Sequence, residues 1–185
     1  MMEFYEDVKK TYFESLIGVS QVQESLYLIV LSVFSFFLPF VLGHPQWVIG
    51  IIVNAALIFG ATYLRGYKLL PLILLPSLGV LSVGLIFGSF TWYLVYIIPF
   101  IWAGNAIYVY GYKYLAFKKQ IKLVAILIAS VVKTSVIFAG TYLLYSLGVV
   151  PAIFLTLMGI LQLVTAVAGG ILAMSLILIH QKTKT

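Results

Sequence analysis

The 185-residue chain contains no cysteine and very few acidic residues. Its carboxylates all lie within the first 24 residues: Glu3, Glu6, Asp7, Glu14 and Glu24. The lack of cysteine excludes disulfides and thiolate metal sites. Because no acid follows Glu24, the rest of the chain cannot hold paired-carboxylate catalysis, carboxylate metal sites or a relay of intramembrane acids. The histidines, His44 and His180, are far apart in sequence, so we expect no metal site and no cofactor.

Charge of either sign is also scarce, since 9% of the residues are charged and 63% are hydrophobic. A soluble domain carries about 25% charged residues. Most of the surface of the folded chain therefore cannot face water, and we predict an integral membrane protein. The net charge of +6 does not indicate a nucleic-acid partner, because the basic residues lie in loops, where membrane topology explains them.

Apolar segments long enough to cross a bilayer follow one another along the chain. A spanning helix needs about 20 mostly apolar residues. We predict spans at residues 26–43, 47–65, 69–88, 92–115, 122–147 and 151–179. They form an all-α bundle of six transmembrane helices, with one membrane domain over 26–180 and a tail over 181–185. Pro71 and Pro76 predict a kinked or tightly packed third helix.

The basic residues alternate between connections. Ten of the eleven fall in the second and fourth connections or near the chain ends, and the other connections have none. These ten are Lys9, Lys10, Arg65, Lys68, Lys113, Lys118, Lys119, Lys122, Lys182 and Lys184. Positive charge stays on the cytoplasmic side of a membrane. We therefore predict a multi-pass protein of the cell membrane with both termini in the cytoplasm.

The first 25 residues form a separate amphipathic segment. Between residues 3 and 20, apolar side chains recur at helical spacing: Phe4, Tyr5, Val8, Tyr12, Phe13, Leu16 and Ile17. This pattern is typical of a helix that lies in the interface of the bilayer. Such a helix either anchors the start of the first span or offers a docking surface to a cytoplasmic partner. No secretory signal peptide is expected here, because the segment is polar and acidic.

Lys133 is the eleventh basic residue, and it lies within the fifth span. It is eleven positions after Lys122, a depth on the order of 16 Å at 1.5 Å per residue. A lysine near the bilayer midplane costs about 2.5–3.5 kcal/mol on insertion scales. No acid in the membrane is present to pair with it. Either Lys133 is neutral or held by backbone carbonyls, or it is a cation that binds an anionic ligand group.

Three amides lie at depths compatible with that of Lys133. They are Asn54 in the second span, Asn105 in the fourth and Gln162 in the sixth. Each offers donors and acceptors for a ligand, and each is equally suited to an interhelical hydrogen bond. We predict that the four polar side chains line one cavity in the outer half to the middle of the bundle and bind a substrate there.

Two aromatic residues of the fourth span, Trp102 and Tyr108, are further candidates for the substrate site. Either ring could wall a pocket for a flat ligand, although packing in the core is the more common role. The chain has no phosphate-binding Gly-Lys-Ser/Thr loop and no serine–histidine constellation within the membrane. We therefore name no catalytic residues and predict that the protein is not an enzyme.

Several short motifs resemble one family of membrane proteins. They are Val53-Asn54-Ala55-Ala56-Leu57, Arg65-Gly66, Leu75-Pro76-Ser77-Leu78-Gly79, Ile98-Pro99-Phe100-Ile101, Gly104-Asn105-Ala106, Lys133, Gln162-Leu163, Thr165-Ala166 and Gly169-Gly170. Together they resemble the substrate-binding S components of energy-coupling-factor (ECF) vitamin transporters, over about residues 26 to 180.

This resemblance implies a six-helix subunit that binds a vitamin-like micronutrient from outside and works with a membrane coupling subunit and two ATPases. The lack of an ATP-binding motif in this chain agrees with ATP hydrolysis by separate subunits. One feature departs from the family, whose first helix carries alanines four apart towards the coupling subunit. Here that helix reads Leu28 to Ser35 without the pattern. Surfaces with Ala56 and Gly60, or with Ala166 and Gly170, could substitute.

Other functional classes stay open at this point. A structural or assembly subunit of a membrane complex would use the polar residues only to hold helices together, and it would bind no small molecule. A membrane enzyme would use Lys133 as a base or a Schiff-base nucleophile, but it lacks a partner acid or histidine. A channel would need a ring of charges or a filter motif, and neither is present.

Overall fold

A computed structural model of the chain describes residues 2–84, 88–118 and 120–182, with only the backbone for residues 2, 3, 88 and 89. Lys119 and the last three residues of the predicted tail, 183–185, which include Lys184, lie outside this range. Within it, every regular element is helical. The α-helices are α1 Met2–Phe13, α2 Gln21–Leu42, α3 Gln46–Tyr63, α4 Leu70–Val83, α5 Leu94–Phe117, α6 Lys122–Ser146, α7 Ile153–Met158 and α8 Ile160–Lys182. Short 3-10 turns, Gly66–Leu69 and Gly88–Tyr93, precede α4 and α5.

Six helical segments in the described residues are long and apolar enough to cross a membrane. They are Gln21–Leu42, Gln46–Tyr63, Gly66–Val83, Phe90–Phe117, Lys122–Ser146 and Ile153–Lys182. This confirms the prediction of an all-α bundle of six membrane helices. The first span begins at residue 21 rather than 26, because Ser20 and Gln23 form a reciprocal capping box. Such a box satisfies two of the backbone N–H groups that a helix start leaves unpaired.

The start of α2 and the end of α8 lie at one end of the bundle, which we call the terminal end. The Tyr27 hydroxyl, near the start of α2, lies 3.0 Å from His180 Nε2, near the end of α8. The buried Glu24 pairs with Arg65 and Lys68 of the α3–α4 connection at this same end. The connection that contains Arg65 and Lys68 therefore lies at the terminal end, as the charge pattern predicts.

Close approach of α3 to α8 and of α5 to α6 forms the centre of the bundle. A Cβ on Gly169 of α8 would lie 2.6 Å from Cβ of Asn54 and 2.8 Å from the backbone nitrogen of Ala55. A Cβ on Gly104 of α5 would lie 3.2 Å from the carbonyl oxygen of Lys133. Small residues at these crossings let the backbones touch, as in other membrane bundles. The side chains of Asn54 and Lys133 are therefore held deep inside.

The small-residue surfaces predicted as alternative docking sites lie inside the bundle. Ala56 is 6% exposed and Ala166 is fully buried. A Cβ on Gly60 would collide with the Leu72 side chain, and one on Gly170 would lie 2.8 Å from the Tyr108 hydroxyl. That prediction was wrong, because these residues provide the close helix crossings within the chain and have no free surface left for another subunit.

The amino-terminal helix is shorter than predicted. The pattern predicts a helix over 3–20, whereas α1 ends at Phe13. Ser20 must adopt extended backbone angles (φ −64°, ψ 156°) to cap α2, so the chain leaves the helix before that point. In the intervening segment the backbone N–H of Ile17 donates to the carbonyl of Thr62. The ring of Tyr12 stacks on Tyr110 at 6.0 Å, which places α1 against α5.

The sixth span is interrupted, although the sequence predicts one continuous helix over 151–179. Gly159 separates α7 from α8 with backbone angles (φ −99°, ψ −103°) outside the helical region. A Cβ at this position would lie 2.6 Å from the carbonyl oxygen of Leu155, so a side chain does not fit. Broken helices within a bilayer are tolerated where they are buried in protein or line a cavity. Leu157 and Met158, which come just before this break, line a cavity of the bundle.

Candidate functional site

A cavity of about 100 Å³ lies between α3, α4, α5, α6 and the α7–α8 segment. It extends from Gln46, the first residue of α3, to Asn105 and Lys133 near the middle of their helices. It therefore occupies the half of the bundle away from the terminal end. Its lining comprises Gln46, Ile49, Gly50, Val53, Asn54, Pro76, Ser77, Val80, Leu94, Ile101, Asn105, Lys133, Leu157, Met158, Leu161, Gln162 and Thr165.

The structure brings the four polar residues singled out in the sequence into this one cavity. Asn54 comes from α3, Asn105 from α5, Lys133 from α6 and Gln162 from α8. Asn54, Asn105 and Lys133 are at most 3% exposed. Convergence of a few polar groups within a mainly apolar lining is typical of a small-molecule site. Their role in binding a substrate stays a prediction.

Lys133 has only neutral partners among the contacts that the structure gives it. Its Nζ donates to Asn54 Oδ1 at 2.5 Å and lies 5.0 Å from the centre of the Tyr108 ring. An amide oxygen and an aromatic face stabilise a cation without neutralising it. The nearest carboxylate along the chain, Glu24, is already paired with basic residues at the terminal end. The cavity therefore contains a buried amine with no counter-charge from the protein.

Asn54 orients the lysine. Its Nδ2 donates to the carbonyl of Gly50 at 2.8 Å and to Thr165 Oγ1 at 3.4 Å. These two bonds determine which way the amide points, because they require its nitrogen on that side. Its oxygen consequently faces Lys133. Both the nitrogen and the oxygen of the Asn54 amide thus have hydrogen-bond partners within the protein, and we regard Asn54 as a positioning residue.

The two other amides are engaged to different degrees. Asn105 Nδ2 donates to the carbonyl of Ile73 at 3.2 Å, which ties α5 to α4 close to Pro76. Gln162 Nε2 has a 3.8 Å contact with the sulfur of Met158, one turn earlier on the α7–α8 segment. A thioether is a weak acceptor. The Gln162 amide is therefore held less firmly than those of Asn54 and Asn105.

Trp102 and Tyr108 are not among the residues that line this cavity, and their role in binding a substrate stays a prediction. Trp102 Nε1 donates to Ser77 Oγ at 2.7 Å, and the Tyr108 hydroxyl donates to the carbonyl of Ala166 at 2.6 Å. Three residues rotate a helix by about 300°, so these rings lie about 60° to either side of Asn105. Each ring supports one lining residue from behind, Ser77 and Lys133 respectively.

Thr165 and Ser77 also line the cavity, and the sequence interpretation missed them. Thr165 is 3% exposed, accepts a hydrogen bond from Asn54 and donates to the carbonyl of Gln162 at 3.2 Å. Its position three residues after Gln162 is a helical spacing that places it near the same face. That spacing was a usable signal. Ser77 offered none, because serines are common on tightly packed membrane helices.

No group of three or more His, Cys, Asp or Glu side chains suited to a metal ion occurs in the parts of the chain that the structure describes. Comparison of the chain with protein-family models, with curated proteins and with solved structures finds no match. The resemblance to S components therefore rests on the motifs quoted above.

Proposed function

We propose that the protein is a substrate-binding membrane subunit for the uptake of a small, vitamin-like molecule. It holds its substrate in the cavity between α3, α4, α5, α6 and the α7–α8 segment. One observation carries this proposal: Asn54, Asn105, Lys133 and Gln162, from four different helices, converge on a single mainly apolar cavity. Polar side chains inside a membrane domain commonly mark substrate or ion pathways.

The position of the cavity along the bundle fits capture from outside the cell. Its lining begins at Gln46 and reaches Lys133, so it lies in the half away from Arg65 and Lys68. By the positive-inside rule, the basic terminal end is cytoplasmic. The cavity then faces the exterior, both termini are cytoplasmic, and the protein spans the cell membrane.

Energy for release must come from other subunits. The chain has no phosphate-binding loop, and its only acids are near the amino terminus. In keeping with the resemblance to S components, we assign this work to a membrane coupling subunit and two ATPases. Because Ala56 and Ala166 are buried, the coupling subunit must bind another surface. The α2 helix exposes large apolar side chains such as Ile29, Val33 and Phe37 and is the first candidate.

The cavity is small for such a ligand. Its volume of about 100 Å³ is below the roughly 300–1,000 Å³ of typical small-molecule pockets. A vitamin-sized ligand therefore requires the walls to move apart. The six-residue helix α7 is the wall most easily displaced, because the break at Gly159 uncouples it from α8. In transporters, discontinuous helices often form the substrate site.

Mass spectrometry of small molecules released from the detergent-purified protein tests this proposal. We expect the wild-type protein to release one metabolite at close to one mole per mole. Replacing Asn105 by leucine should lower that amount, because it removes polar groups from the cavity. Ser175→Ala is the matched control, because that serine is exposed and donates only to the Ile171 carbonyl of its own helix. Equal release from both variants would contradict the assignment of the cavity.

A structural or assembly subunit is the second candidate, and one observation favours it. Three of the four polar residues make bonds between helices: Asn105 to the Ile73 carbonyl, Asn54 to Thr165, and Lys133 to Asn54. Such bonds hold membrane helices together. This alternative predicts that wild-type protein releases no metabolite and that Asn105→Leu lowers the melting temperature. The binding subunit predicts loss of the metabolite with the fold retained.

A further inference from the structure

We propose that the ligand of the cavity is a monocarboxylate and that its carboxylate binds the ammonium group of Lys133. This inference rests on the proposed function, since it names the chemical class of the substrate. The juxtaposition that carries it is a buried lysine at the deep end of the cavity, with a weakly held amide on the opposing α8 helix.

With Lys133 protonated, the charge of the cavity is unbalanced by one. Lys133 is the single ionisable side chain among the lining residues, and it is 2% exposed. An ammonium group has three donors, and the structure assigns one of them to Asn54. A buried charge is stable only when it is paired and hydrogen-bonded. The chain has no carboxylate beyond Glu24 to supply the pair, so the ligand must supply it.

The geometry around Lys133 favours a carboxylate over other groups. Asn54 donates its two amide hydrogens to the Gly50 carbonyl and to Thr165 Oγ1, and its oxygen holds the lysine from one side. Gln162 supplies amide donors from α8, since its weak contact with Met158 is easily replaced. A carboxylate has two oxygens, and it can accept from both Lys133 and Gln162. The described residues that line the cavity include no acidic side chain that could anchor a cationic group.

A single negative charge matches this cavity better than two. The structure places no second cation in the lining, so a dicarboxylate or a phosphate dianion would bring a charge without a partner. The remaining walls are mostly apolar and include Ile49, Val53 and Leu157. The body of the ligand is therefore expected to be apolar. A neutral ligand would leave the lysine uncompensated, and a cationic ligand would be repelled.

The first experiment compares metabolites released from the full-length wild type with those from Lys133→Met. Methionine keeps a similar length without the charge, and Lys122→Met is the matched control, because Lys122 is the exposed first residue of the same helix. We expect the wild type and the control to release a monocarboxylate, and Lys133→Met to release less than a tenth of that amount. Melting temperature and gel filtration establish that the variant is folded.

The second experiment uses defined probes, and its main comparison needs only the wild-type protein. We expect butyrate and benzoate to raise the melting temperature of ligand-free wild-type protein. Their isosteric amides, butyramide and benzamide, should not, and neither should the dianion succinate. A carboxylate that stabilises the wild type and leaves Lys133→Met unchanged also supports the proposal when no metabolite survives purification.

The outcomes separate the charge assignment from the proposed function. A neutral or cationic metabolite, or equal release by Lys133→Met, would overturn the monocarboxylate proposal while the protein remains a binding subunit. Stabilisation by the amides as strong as by the carboxylates would overturn it in the same way. An empty wild-type protein that responds to no probe would count against both the charge assignment and the proposed function.

Discussion

The buried carboxylate of Glu24 provides the most direct test of how the bundle is held together. Its side chain is 1% exposed. It accepts from the backbone N–H of Arg65 at 3.1 Å, from Arg65 Nε at 3.2 Å and from Lys68 Nζ at 2.7 Å. These bonds join the start of α2 to the connection between α3 and α4. We predict that Glu24→Gln destabilises the folded protein more than any exchange of an exposed acid.

The expected magnitude follows from the burial of the partners. Removing one member of a fully buried ion pair costs about 3–5 kcal/mol. Here the side chains of Arg65 and Lys68 are 45% and 20% exposed, so water recovers part of that cost. Glutamine also keeps one oxygen that can accept from the Arg65 backbone. We therefore expect a loss of about 2 kcal/mol, below the range for a fully buried pair.

Thermal and denaturant unfolding in one detergent measures this loss. The matched control is Asp7→Asn, which makes the same chemical change. Its carboxylate pairs with Lys118 at 3.0 Å, but the two side chains are 30% and 44% exposed. Such surface pairs contribute about 0–1 kcal/mol. Equal effects of the two substitutions, or a Glu24→Gln protein as stable as the wild type, would refute the reasoning.

Three further predictions concern packing, capping and the cavity. Gly169→Ala should destabilise the bundle by about 1–3 kcal/mol, because its Cβ would press on Asn54 and the backbone of α3; Gly111→Ala, which meets only ordinary contacts, should be neutral or stabilising in the same melting assay. Ser20→Ala removes the cap of α2 and should lower stability by about 1 kcal/mol in denaturant unfolding, and an unchanged midpoint would argue against the capping box. Asn54→Leu should weaken ligand retention in mass spectrometry, because Lys133 loses its fixed partner, and undiminished retention would remove Asn54 from the site.

The depth of a residue in the membrane was predictable because it depends on the chain alone. A helix rises about 1.5 Å per residue, so counting from the loops places Asn54, Asn105, Lys133 and Gln162 at compatible levels. The structure brings all four into one cavity. The direction in which a side chain points around the helix axis was harder to predict from the sequence. Trp102, expected in the cavity, instead supports Ser77 from outside the lining.

The sequence is a poor guide to the rotation of a membrane helix about its axis because of the solvent. In a soluble helix, polar residues mark the face away from the core, so the sequence reveals the rotation of the helix about its axis. Lipid is as apolar as the protein interior, so in a membrane helix polar residues no longer indicate which face points outward. Ala56 and Gly60 illustrate the point, since the sequence suggests an outer docking surface and the structure places them against other helices. Packing against neighbours decides the rotation.

The sequence by itself determined that the chain is a six-helix membrane bundle, because lengths of apolar residues and helix caps are local properties. It also identified the unusual lysine at position 133, because burial without any acid in the same region is visible in the composition. Only the tertiary structure decided the pairing of Glu24 with Lys68, the break at Gly159 and the partners of Lys133. These features join residues that are distant along the chain or depend on the fit of neighbouring helices. No local property of the sequence encodes that fit.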